Sequence, residues 1–128
     1  MSVVSVKKNF IFDQYSTGTI LKVNTIIDRI RSSVHNSDPT AELFLFGSRA
    51  RGDNRPDSDW DILILVDNLK ITNELEDKFR DTLYDIELES GQIISTLIYP
   101  KYFWKEVLQF SPLYRHVYKE GLRLLCTE

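Results

Sequence analysis

Residues 44–66 read FLFGSRARGDNRPDSDWDILILV, and their order decides how the chain is read. An apolar strand ends at Phe46. A Gly-Ser step follows at Gly47 and Ser48. Ten residues later come Asp59 and Asp61, which open a second apolar run from Ile62 to Val66. Side chains on a strand alternate faces, so Asp59 and Asp61 point the same way, with Cα atoms roughly 6.5–7 Å apart. Trp60, Ile62, Ile64 and Val66 then lie on the opposite face, where a helix can bury them.

Carboxylates at that spacing can share one hard cation or flank two. Mg²⁺ takes oxygen ligands and bridges carboxylates to substrate phosphates. Two metals about 4 Å apart can clamp both oxygens of a phosphoryl displacement. Gly47 has no Cβ, so a phosphate can approach its backbone. A short helix over Ser48 to Gly52 would aim free N–H groups at an anion. The Ser48 hydroxyl adds a donor, and Arg49 and Arg51 add positive charge. A Gly-Ser turn or an Asp-x-Asp strand start is, alone, more often structural than catalytic. Together, at this spacing and between two apolar strands, they point to a site for a metal-bound nucleoside triphosphate.

Gly47-Ser48, ten intervening residues, then Asp59-Trp60-Asp61-Ile62 resembles the signature of the DNA polymerase β-like nucleotidyltransferase superfamily. The form GSRARG…SDWDILI is most similar to the minimal (MNT-type) nucleotidyltransferases. The resemblance implies metal and catalytic roles for Asp59 and Asp61. It implies nucleotide contacts from Gly47, Ser48, Arg49, Arg51 and Ser58, with Mg²⁺ as cofactor and an NTP, ATP foremost, as substrate. It also implies a helical HEPN-type protein partner, paired as toxin and antitoxin, in which a tyrosine hydroxyl is an acceptor. A third carboxylate on a later strand belongs to the superfamily pattern. Here the corresponding strand, Gln92 to Tyr99, has no Asp or Glu, and Ser95 or Thr96 stands about where the acid is expected. A hydroxyl is a weaker ligand than a carboxylate for a hard cation. A nucleotide-binding or antitoxin module with weakened catalysis is therefore the competing reading.

The rest of the chain fits one domain. Its 128 residues are 42% hydrophobic, enough for a single core. A net charge of −3 argues against an extended nucleic-acid surface. Cys126 is the one cysteine, so no internal disulfide forms, which suits a reducing cytoplasm. No apolar run has the length of a membrane span.

Residues 1–19 read as an N-terminal extension, with Asn9 to Phe12 a short strand or packing arm, and 20–128 as a single nucleotidyltransferase domain. Ile20, Val23, Ile27, Ile30 and Val34 recur at helical spacing and predict a helix to His35. Glu42 to Phe46 is the first core strand, and Asp59 to Val66 the second. Leu75, Phe79, Leu83 and Ile86 predict a helix capped by Thr72 or Asn73 and closed by Gly91. Its many acids read as a solvated face. Pro100 and Ser111-Pro112 start two further helices around an aromatic-rich segment, and Leu122 to Cys126 is a last extended piece. The pattern is α/β (α+β), a small mixed β-sheet with helices on one side and the cleft on the open face.

Overall fold

Strand β2 (Trp60–Val66) is buried along nearly its whole length, and the other elements are arranged around it. A computed structural model describes residues 18–125, with side chains from residue 26 onward. The expected arm at Asn9 to Phe12 and Cys126 lie outside the described residues. Strand β1 (Glu42–Phe46) pairs antiparallel with one edge of β2, and β3 (Ile94–Pro100) pairs parallel with the other. Strand β4 (Leu122–Leu125) adds antiparallel to β1, so the order is β3-β2-β1-β4. This is the expected mixed sheet. The parallel β2–β3 pair needs a long crossover, which α3 (Asn73–Ser90) supplies.

One face of the sheet carries Leu43, Leu45, Trp60, Ile62, Ile64 and Val66. Helix α1 (Gly18–Ser37) covers it with Ile26, Ile30 and Val34, and α3 with Phe79, Leu83 and Ile86. Ile30, Val34, Phe79, Leu83 and Ile86 are residues that helical spacing singled out, whereas Ile27 of that stripe is only partly buried and Ile26 beside it takes the core position. Burying each large apolar side chain contributes about 1.5–3 kcal/mol. Helix α1 begins slightly before the expected Ile20. The Thr72 hydroxyl accepts the Leu75 N–H at 3.1 Å and caps α3, a contact typically contributing about 1 kcal/mol. Gly91, at φ 73°, closes the same helix through its N–H to the Glu87 carbonyl.

The other face is not open, contrary to the expectation of helices on one side. Helix α4 (Lys101–Glu106), a 3₁₀ turn (Leu108–Phe110) and α5 (Pro112–Glu120) follow the short helix α2 (Ser48–Arg51) in chain order. Trp104 and Val117 bury against Leu63 and Leu65, with Phe44, Leu97, Tyr99 and Tyr114 around them. The Trp104 and Tyr114 rings lie 5.0 Å apart. The physical reason is that Leu63 and Leu65 belong to the same apolar run as Ile62 and Ile64. A strand apolar on both faces needs cover on both. At the Asp61 end of β2, Phe46 packs against this cluster, while Asp61 is half-buried and Ser95 exposed. No described helix is long and apolar enough to cross a membrane.

Candidate functional site

Gly47 joins β1 to α2 and sits at φ 75° and ψ −158°, a conformation essentially reserved for glycine. Phe46, the residue before it, pairs in register with Asp61. A Cβ on Gly47 would collide with Oδ2 of Asp61. The turn backbone and the Asp61 carboxylate are therefore in direct contact, which only a residue without a side chain permits. The N–H groups of Ala50 and Arg51 donate to the Gly47 carbonyl, both at 3.1 Å, and turn the chain into α2. The first N–H groups of such a turn have no earlier carbonyl to bond.

Asp59 is exposed and lies immediately ahead of β2, which starts at Trp60 rather than at the expected Asp59. Asp61 is half-buried. Burial raises the Asp61 carboxyl above its ordinary pKa, the Asp59 charge raises it further, and Arg51 opposes them. The two acids thus repel each other. Among the described residues no Lys, Arg or His forms an ion pair with either. Two neighbouring oxygen-donor groups without an ion-paired protein cation suit a hard divalent cation such as Mg²⁺. They are a pair: among the described residues, no three His, Cys, Asp or Glu side chains are grouped to hold a metal.

The arginines of the motif have separate surroundings. Arg51 donates to Asp53 at 3.2 Å and to Glu120 of α5 at 3.4 Å. Those hydrogen bonds raise its pKa. Arg49 turns the other way. Its Nε and Nη2 donate to the Ser58 carbonyl at 3.3 and 2.9 Å, and Nη2 also reaches the Pro56 carbonyl at 3.1 Å. Nη2 donates to Gln92 Oε1 at 3.0 Å as well, and the guanidinium lies 4.3 Å over the Trp60 ring. Burial lowers the Arg49 pKa, with Asp57 opposing. The Ser58 hydroxyl accepts the Arg55 N–H at 2.9 Å and closes the loop on itself. Asp57 faces Arg55 in solvent.

Gln92 escaped sequence reading. Its Oε1 accepts from the Trp60 indole at 2.8 Å as well as from Arg49. A lone Gln after a helix-ending Gly carries no pattern that could have marked it. Glu87 and Glu89, the acids nearest β3 in sequence, bond outside the site. Glu87 accepts the Ile94 N–H at 2.7 Å and starts β3, and Glu89 pairs with Arg29.

Strand register resolves which hydroxyl stands beside the acids. Ser95 is the partner of Asp61 across the parallel β2–β3 pair. Side chains of in-register partners share a face, so Ser95, which is exposed, neighbours Asp61. Thr96 faces the other way and lines a depression with Arg80, Leu83 and Glu87 of α3.

Solved structures of like fold include a toxin–antitoxin crystal structure with AMP-PNP. It is 17% identical, has a TM-score of 0.58, and the match covers 80% of this chain and 74% of that one. Another is a mutant of the toxin–antitoxin pair MntA-HpeT, 16% identical with a TM-score of 0.55 over the same shares of the two chains. No curated protein matches the chain. The nucleotidyltransferase domain family matches residues 27–118, from within α1 to within α5. That span is well over half of the chain and holds the Gly47 turn, both acids and the β2–β3 pair. The chain belongs to the nucleotidyltransferase domain family.

Proposed function

We propose that the chain is a Mg²⁺-dependent nucleotidyltransferase that moves a nucleoside monophosphate from an NTP, ATP foremost, to a hydroxyl and releases pyrophosphate. The carrying observation is the contact between the Gly47 turn and Asp61, with Asp59 beside it and no protein cation paired to either acid among the described residues. In this reading Asp59 and Asp61 hold the cation. Bound there, it would neutralise charge developing on the phosphoryl oxygens. Gly47 lets the phosphates approach the backbone, the Ser48 hydroxyl donates to them, and Arg51 supplies positive charge on the same side. Arg49 and Ser58 keep the loop between turn and acids in shape.

The acceptor in this reading is a tyrosine hydroxyl of a helical HEPN-type partner. The family membership and the likeness in fold to toxin–antitoxin structures, one of them with AMP-PNP, support it. Ser95 beside Asp61, where a third acid would complete the metal site, favours a second reading. There the chain binds metal–nucleotide as an antitoxin module and transfers slowly. Loss of a ligand would harm the transition state more than binding.

The test is label transfer from α-phosphate-labelled ATP to a HEPN-type partner, with the Asp59→Asn, Asp61→Asn double variant as control. Transfer lost in the variant supports the enzyme. Mg²⁺-dependent nucleotide binding without transfer supports the module, and the absence of both defeats the two readings together.

A further inference from the structure

The Arg49 cluster has no part in the chemistry just proposed, yet it is the best-bonded polar group near the acids. Its guanidinium rests on Trp60, whose ring lies on the face opposite Asp61. Asp59 is the least supported member of the pair, being exposed, outside the strand and without an ion pair among the described residues. Its place is set by the two peptide groups that flank it. The carbonyl of the Ser58–Asp59 peptide accepts two bonds from Arg49. The N–H of the Asp59–Trp60 peptide donates to the Ile93 carbonyl at 2.8 Å. The Trp60 indole then shares Gln92 Oε1 with Arg49. Arg49 itself follows Ser48 in α2, so one guanidinium connects the turn that touches Asp61 to the peptide that carries Asp59.

We propose that Arg49 is a positioning residue that fixes Asp59 relative to Asp61 and the Gly47-Ser48 turn, and so sets the geometry in which the two carboxylates take a divalent cation. This rests on the reading of Asp59 and Asp61 as the metal pair. Only a planar fork can bond one carbonyl through two nitrogens while stacking on an indole. Lysine keeps the charge but offers donors at a single point. The substitution Arg49→Lys therefore separates position from electrostatics.

The experiment measures Mn²⁺ affinity of the full chain by calorimetry, with amide hydrogen exchange read on the same proteins. Groups that orient metal ligands typically cost 10–100-fold in affinity when changed. Arg49→Lys should weaken Mn²⁺ binding about tenfold, at a temperature where circular dichroism shows it folded. Its Trp60 amide should exchange faster, while the Ile64 amide in the middle of β2 keeps its wild-type rate. Wild-type Mn²⁺ affinity in Arg49→Lys, or equal acceleration of Trp60 and Ile64, overturns the inference. If the Asp59→Asn, Asp61→Asn variant binds Mn²⁺ as wild type does, the metal reading itself fails, and this is distinguishable from failure of the Arg49 inference alone.

Discussion

Replacing Gly47 by Ala should destabilise the protein through two separable effects. The first is backbone strain, because φ 75° with ψ −158° is essentially closed to residues with a Cβ and costs about 1–3 kcal/mol. The second is the collision of the new methyl group with Asp61 Oδ2. Forcing a group into filled space typically costs about 1–3 kcal/mol more. Gly52 provides the comparison. It has φ 88° and ψ 7°, and a Cβ there meets nothing within 4 Å. Gly52→Ala should therefore carry only the cost of a left-handed residue, about 1–2 kcal/mol. Urea unfolding followed by the fluorescence of the buried Trp60 and Trp104 measures all the variants. The decisive step is the double-mutant cycle with Asp61→Ala. That change removes the oxygen and carbon closest to the new methyl group, so Gly47→Ala should cost about 1–3 kcal/mol less in the Asp61→Ala background than in wild type. Equal costs for Gly47→Ala and Gly52→Ala, with no relief from Asp61→Ala, would refute the contact between turn and carboxylate.

Other expectations concern the acids. Ser95→Asp should place a third carboxylate beside Asp61, so added Mg²⁺ should raise the melting temperature of this variant more than that of wild type. Thr96→Asp, on the opposite face, should show no such gain, and equal Mg²⁺ shifts for all three proteins would argue that Ser95 does not face the pair. Asp61→Asn should stabilise the metal-free protein at neutral pH. Burial and Asp59 raise the Asp61 pKa in the folded state, so the native form binds the proton more tightly than the unfolded chain. Stability therefore falls as pH rises from the ordinary carboxylate value, about 3.9, through the raised folded-state value, and stays lower above it. The Asn variant escapes that penalty, and its advantage in melting temperature should vanish on acidification below the ordinary value.

Much of the fold was legible because it rests on local periods. Leu43 to Phe46 is a short apolar run that forms β1, Ile30 and Val34 recur at helical spacing, and Gly91 ends α3 as a glycine in the left-handed conformation. Strand alternation also puts Ser95, Leu97 and Tyr99 on one face of β3, where they pair with Asp61, Leu63 and Leu65. The second covered face was not legible. The segment from Tyr102 to Phe110 is rich in aromatic residues, and nothing in its spacing tells that Trp104 is buried while Phe110 is 81% exposed. That distinction comes from the chain folding back through α5, which places Val117 and Tyr114 over Leu63 and Leu65.

At the site, the proximity of Gly47 to Asp61 follows from two adjacent strands joined by a loop, and the motif spacing carried it. The surroundings of Arg49 and Arg51 did not follow. Both look like free cations in sequence, but Arg49 bonds to the carbonyls of a loop whose path is set by Pro56 and the Ser58 turn. Its bond to Gln92 spans most of the chain between β2 and β3. Such partners depend on tertiary closure and leave no periodic trace.

The proposed activity depends most directly on whether Asp59 and Asp61 bind metal–nucleotide. Calorimetric titration of MgATP into the full chain and into the Asp59→Asn, Asp61→Asn variant measures this. Saturable binding by wild type that disappears when Mg²⁺ is chelated, and that is lost in the variant, is the predicted result. Equal MgATP affinity in the two proteins, or wild-type binding indifferent to Mg²⁺, would contradict it.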